Sequence, residues 1–187
     1  MTESNLKKWK ILSSQLVIEH EWCKIRQDQI ELPNGRVIDD YFINIRPEIV
    51  VILAITPTQE IVFVRQYRHG VTEILLELPA GNFEKKIEDS FEAAQRELVE
   101  ETGYEVECLI KLATIYDNPV KNNNKTHIFL GINAKKTTVQ SLDITEEIEV
   151  VLIPIKDIVN QVISGEICVA GTIAAVFMGL EILRQKS

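Results

Sequence analysis

The sequence predicts an α+β fold with an N-terminal β-hairpin appendage, on three observations. Runs rich in β-branched residues fill most of the first half, a single block of helix formers interrupts them from Glu88 to Thr102, and an uncharged stretch from Ile167 to Leu180 lies near the end of the chain. The 187 residues, 45% hydrophobic and 26% charged, fall in the globular range. A chain this long buries roughly 70% of its unfolded surface and needs no disulfide or structural metal to hold a core.

Taken in order, Gln15 to Phe42 reads as a long hairpin: QLVIEHEWCKIRQDQIEL, the turn signal Pro33-Asn34-Gly35, then RVIDDYFI. Arg46-Pro47 follows, so the chain divides into an appendage over residues 1–45 and a main domain over residues 46–187. IVVILAIT and EIVFVRQY are two strand-like runs separated by PTQ, and a third, EILLEL, stops at Pro79-Ala80-Gly81, where a loop is expected. In the helical block Phe91, Ala94 and Leu98 make a narrow apolar stripe, and Gly103 stands where a helix C-terminus favours positive φ. Strands resume at VECLIKLATIY, THIFLGIN and IEVVLIPI, with helices expected near Ile155–Ser164 and Thr172–Arg184. The hairpin is too long and too mixed in polarity to be buried within one small domain, and isolated hairpins are marginal in water, so a homodimer is expected with the appendage packed on the partner.

Twenty Lys and Arg against 28 Asp and Glu give a net charge of −8, the wrong sign for holding nucleic acid through phosphate counterion release. Ile167–Leu180 falls short of the ~20 residues that span a bilayer and reads as a buried helix, so no membrane partner is expected. The first residues carry no apolar signal core, and a cytoplasmic location is the expectation. Cys23, Cys108 and Cys168 are scattered and odd in number, which reads as free thiols; His20, His69 and His127 show no metal-ligand spacing.

The chemistry lies in EDSFEAAQRELVEET. Glu97 and Glu101 are one helical turn apart and project from nearly the same line, where like charges repel unless a cation lies between them; Arg96 and Glu100 pair along a neighbouring line. In front stands ELPAGNFEKKIE, a turn-rich segment with a glycine. Paired carboxylates beside such a segment suit a hard divalent ion, which takes one or two carboxylates and completes its shell with water and substrate phosphate. The ion would also reverse the local field, letting an acidic protein accept an anionic diphosphate.

GNFEKKIEDSFEAAQRELVEETGY resembles the Nudix box: from Glu88, the residues Arg96, Glu97, Leu98, Glu100, Glu101, Gly103 and Tyr104 fall at the expected intervals. One departure is that six residues rather than five separate Gly81 from Glu88, so a bulge is expected there. VRQYRHG, LLELPAG and TEEIEVVLIP are similar to the ADP-ribose pyrophosphatase-like branch, while DNPVKNNNKTHIFLG departs from its usual loop. The resemblance covers nearly the whole chain and implies a mixed β-sheet sandwiched between helices. It further implies Mg²⁺ as cofactor, with Mn²⁺ able to substitute, and a nucleoside pocket that the appendage helps build on a partner subunit.

By this resemblance Glu97 and Glu101 are the principal metal ligands, Glu100 a candidate third, and the Ala80 carbonyl a backbone ligand. Gly81, Glu88, Arg96 and Gly103 support the box. Arg68 is the candidate for the diphosphate, since a guanidinium suits bidentate phosphate contact; Arg65 is another, and equally a partner for a surface glutamate. Trp22 is a candidate base-stacking residue, the alternative being a core or interface tryptophan. A carboxylate bound to metal is a poor proton acceptor, so the general base is expected outside the helix. LDITEEIEV supplies Glu146, preferred by position in the branch, and Glu147; Glu149 reads as an outward-facing strand residue. The function implied is Mg²⁺-dependent hydrolysis of a nucleoside diphosphate joined to another moiety, ADP-ribose first, giving AMP and ribose 5-phosphate. The alternatives are a nucleotide-sugar hydrolase acting on a GDP-mannose-like compound, or a non-catalytic nucleotide sensor.

Overall fold

The computed structural model describes residues 5–186. Its strands are β1 (Lys10–His20), β2 (Cys23–Glu31), β3 (Val37–Ile45), β4 (Glu48–Ile55), β5 (Glu60–Arg68), β6 (Glu73–Glu77) and β7 (Ala80–Phe83). Helix α1 (Ser90–Thr102) follows, then β8 (Tyr104–Glu105), β9 (Cys108–Ile115), β10 (Thr126–Ile132), β11 (Lys135–Lys136) and β12 (Ile148–Pro154). A 3₁₀ turn at Ile155–Asp157 leads into α2 (Ile158–Ile163), and α3 (Ala170–Lys186) is the last element. The chain forms two compact units, one made of the residues up to Arg46 together with Asn118–Asn124, the other of Pro47–Asp117 and the chain from Lys125 onward.

The N-terminal unit is a three-stranded antiparallel sheet in the order β1-β2-β3. The run that reads as one long strand from Gln15 to Leu32 is therefore two, folded at Glu21-Trp22 with His20 paired to Cys23. That turn holds no Gly, Pro or Asn and neither residue has positive φ, so the usual signal is missing; the Trp22 N–H donates to His20 Nδ1 at 3.2 Å. The second turn is of the expected kind, with Gly35 at φ 83° and its N–H donating to the Leu32 carbonyl. Asn118–Asn124 is tied to β3 by polar bonds: the Asn44 N–H donates to the Lys121 carbonyl at 2.7 Å, Asn44 Nδ2 to Asn122 Oδ1 at 3.0 Å, and Tyr41 Oη to the Val120 carbonyl at 3.2 Å. Every residue of β1 is exposed, including Ile11, Leu12, Leu16, Val17 and Ile18.

The second unit is built on a mixed sheet in the order β12-β5-β4-β10-β9, with β10 parallel to β4 and the other pairs antiparallel. β4 is apolar on both faces because both are covered. Val50, Ile52 and Ala54 pack with Ala93, Ala94 and Leu98 of α1, whereas Val51, Leu53 and Ile55 pack with Ala175 and Val176 of α3. β4 and β5 pair only at Ala54–Val62 and Ile55–Ile61; beyond that point β6 pairs with β5 and β7 with β4. Leu78-Pro79 carries the chain between the two, and the Leu78 N–H donates to Thr172 Oγ1 of α3 at 3.1 Å. The segment expected as a loop thus begins with a strand, too short and too glycine-bearing to show strand periodicity. The extra residue before Glu88 is taken up in the turn after β7, where the Ile87 and Glu88 N–H groups both donate to the Glu84 carbonyl. No helix of the described residues is long and apolar enough to cross a membrane.

Candidate active site

Helix α1 is set in place at both ends. Asp89 caps its start, accepting from the N–H groups of Phe91 at 2.7 Å and Glu92 at 3.0 Å, while Glu92 returns the bond to the Asp89 N–H. Gly103, at φ 72°, ends it with an N–H bond to the Val99 carbonyl. The apolar side of the helix lies on the sheet, and this turns Glu97 and Glu101 inward, 8% and 3% exposed.

Around Glu97 and Glu101 stand β7, Arg96, Arg68 and Glu146. The Ala80 N–H donates to Glu101 Oε2 at 3.0 Å, so the direct contact from Ala80 is its amide. Gly81 has ordinary φ; its role is space, since a Cβ there would fall on the Glu97 carboxylate. Arg96 spreads over three acids: Nη2 reaches Glu88 at 2.7 Å, and Nη1 reaches Glu97 at 2.8 Å and Glu100 at 2.9 Å. Its pKa is raised, first by the Glu88 hydrogen bond and then by Glu97 and Glu100.

Burial pushes Glu101 up to about 8, helped by the charges of Glu97 and Glu146 and opposed by the Ala80 N–H and Arg68. Glu97 is also raised, again by burial first, with Arg96 opposing and Glu100 and Glu146 adding to the rise. Arg96 and Arg68 thus offset only part of the cost of charging the two inner carboxylates, which is the condition a further cation relieves. Among the described residues no three His, Cys, Asp or Glu side chains converge as a ready-made cage. Two carboxylates suit a small hard ion that completes its shell with water and substrate phosphate, so the donor set fits a divalent metal.

Arg68 is held from behind by Glu77, which the sequence reading did not single out. Arg68 Nε and Nη2 donate to Glu77 Oε1 and Oε2 at 2.8 and 2.9 Å, and Glu77 is buried. Two of five guanidinium N–H donors are used, and the group lies in the field of Glu101 and Glu146. Arg65 points elsewhere, to Glu149 at 3.2 Å and Glu166 at 3.7 Å. Trp22 is 79% exposed at the β1–β2 turn, outside any core. Glu146 is half-buried and its carboxylate accepts the Asp143 N–H at 3.0 Å, whereas Glu147 is exposed. Gln140 was also missed; its amide donates to the backbone carbonyls of Glu101 and Ile148. A buried acid in LLELPAG paired with an arginine of VRQYRHG was the one available hint for Glu77, while Gln140 stands in a segment with no periodicity.

Comparison with known proteins gives the family in which this helix and its surroundings stand. The NUDIX domain matches residues 45–167, and the chain belongs to that family of hydrolases. The nucleoside diphosphate sugar hydrolase N-terminal domain matches residues 9–44. An ADP-ribose pyrophosphatase of Bacillus subtilis (strain 168) is 31% identical over 171 residues, 89% of this chain and 90% of that protein. A methanol dehydrogenase activator of Bacillus methanolicus is 31% identical over 168 residues, with the same shares of each chain covered. The fold superposes on a crystal structure of an ADP compounds hydrolase with a TM-score of 0.86 at 23% identity, over 99% of both chains. The protein is thus a Nudix pyrophosphohydrolase, similar to the ADP-ribose pyrophosphatase-like branch.

Proposed function

We propose that the chain hydrolyses the diphosphate bond of a nucleoside diphosphate joined to a second moiety, with ADP-ribose preferred and AMP and ribose 5-phosphate as products. The observation that carries this reading is the pair of buried carboxylates, Glu97 and Glu101, facing a glycine strand with Arg68 beside them. Glu97 and Glu101 would hold Mg²⁺, with Glu100 and the Ala80 carbonyl as further candidates and Mn²⁺ able to substitute. Bound there, the ion supplies charge that polarises the diphosphate and activates water.

Arg68, fixed by Glu77, binds and orients diphosphate oxygens with the N–H groups it has left. Glu146 accepts the proton of the attacking water as its oxygen bonds to phosphorus and the bridging P–O bond breaks; Glu147 is the second candidate. Arg65, engaged with two glutamates, is a weaker candidate for substrate. Gly81, Glu88, Arg96 and Gly103 hold the box in shape. A homodimer belongs to the same reading: the exposed apolar residues of β1 would be covered by a second copy, and Trp22 would reach that copy's nucleoside. Three exposed free thiols accord with work in the reducing cytoplasm.

A second reading, a nucleotide-sugar hydrolase, is favoured by the family matched over residues 9–44. A panel of ADP-ribose, GDP-mannose and related diphosphates, with products identified, separates the two. Hydrolysis is expected to stop with chelator and return with Mg²⁺ or Mn²⁺, and Glu101→Gln to lower kcat by ~10² or more with the fold kept. Full turnover in excess chelator would sink the metal assignment.

A further inference from the structure

The loop between β11 and β12 is in two parts. Its first part is fastened to the C-terminal end of α1: the Thr137 and Thr138 N–H groups donate to the Gly103 carbonyl at 2.9 and 3.2 Å, and the Ser141 N–H to the Glu100 carbonyl at 2.9 Å. Gly103 lies so close under this segment that a Cβ would meet the Thr138 carbonyl oxygen. Carbonyls that a helix end normally leaves to solvent are therefore taken by this loop. Gln140 completes the fastening, with Nε2 donating to the Glu101 carbonyl at 2.7 Å and the Ile148 carbonyl at 3.1 Å. Both N–H donors of one amide are used, one on the helix of the inner carboxylates and one on the first residue of β12.

The second part, Leu142–Glu147, holds itself instead. The Glu146 N–H donates to the Asp143 carbonyl at 2.9 Å, and the Glu146 carboxylate accepts the Asp143 N–H at 3.0 Å. A short arm carrying Glu146 is thus anchored at Ser141 on one side and Ile148 on the other, and Gln140 sets the span between those anchors.

We propose that Gln140 is a positioning residue: by bridging the backbone of Glu101 and Ile148 it fixes the stem of the loop, so that Glu146 alone swings over the carboxylates from a constant distance. The inference rests on the reading of Glu146 as the proton acceptor. Its chemical logic is that a displacement of about 1 Å in a reacting group costs on the order of 10² in rate, and a six-residue arm is only as accurate as its anchors.

Gln140→Glu keeps size and shape but turns a double donor toward two carbonyls as an acceptor. Expected results are a 10- to 100-fold fall in kcat (order of magnitude), substrate KM and the half-saturating Mg²⁺ concentration within about 3-fold of normal, and loss of hydrogen-exchange protection at the Thr138 and Ser141 amides. Gln140→Ala is the companion should the glutamate variant fold poorly. In a Glu146→Gln background either change should cost almost nothing more, because the group being positioned is already gone. Near-normal kcat in Gln140→Glu with exchange protection lost, or a fall in kcat that multiplies in full with that of Glu146→Gln, overturns the positioning role. Near-normal kcat in Glu146→Gln alone overturns the base assignment, and the positioning inference with it.

Discussion

Gly81→Ala should separate catalysis from stability. The backbone at Gly81 has ordinary φ, so alanine is not strained there and removes some freedom from the unfolded chain. Its methyl, however, would occupy the place of the Glu97 carboxyl carbon and both its oxygens. Restoring van der Waals contact of about 3.5–4 Å forces that carboxylate to move by more than about 1 Å. The move breaks the 2.8 Å bond to Arg96 and takes Glu97 off the line it shares with Glu101. Because the displaced group is the end of a flexible side chain, folding free energy should change by no more than ~1 kcal/mol, while kcat should fall by ~10² or more. Steady-state hydrolysis of ADP-ribose at saturating Mg²⁺, beside thermal unfolding of the same samples, reads both quantities. A variant with near-normal kcat and an unchanged Mg²⁺ requirement would refute the placement of Glu97 at the reacting centre.

Glu77→Gln should loosen the Arg68 fork and raise substrate KM about 10-fold with kcat less affected, as one of two charge-assisted bonds is lost; an unchanged KM removes Arg68 from diphosphate binding. Gly103→Ala combines positive φ with a collision on the Thr138 carbonyl and should cost about 1–3 kcal/mol, read as a lowered thermal midpoint. Without metal, Glu101 binds its proton more tightly folded than unfolded, so its contribution to stability is complete below the ordinary carboxylate pKa and is lost as pH rises toward about 8. The midpoint of metal-free protein should fall across that window, and Mg²⁺ should raise it more at pH 8 than at pH 5; a metal effect independent of pH would contradict this. Light scattering at micromolar concentration should give a dimer, and a monomer would remove the role proposed for β1.

The helix that carries Glu97 and Glu101 was legible because its signals are local. The stripe of Phe91, Ala94 and Leu98, of which Ala94 and Leu98 are buried and Phe91 stays partly exposed, and Gly103 all act within a few residues, and the pairing of like charges at Glu97 and Glu101 is itself a local anomaly. What escaped is what depends on distant partners. The turn at Glu21-Trp22 is enforced by the pairing of His20 with Cys23, not by a turn residue. β7 exists because β4 splays from β5 and leaves an edge to fill. Arg65 and Arg68 are alike in sequence, and only the positions of Glu149, Glu166 and Glu77 send one to the surface and hold the other toward the carboxylates.

The ties between β3 and Asn118–Asn124 bear on how the chain is made. The N-terminal unit takes its last piece from a stretch that begins more than seventy residues after Arg46. On a ribosome adding about 5–20 residues per second, roughly 4–16 s separate Arg46 from Asn124. A three-stranded sheet formed within that interval would present Asn44 and Arg46 without the partners they have in the finished protein. Slowing translation between these points should prolong the susceptibility of the emerging sheet to proteases and chaperones, whereas a fragment ending at Arg46 would remain in that unfinished state.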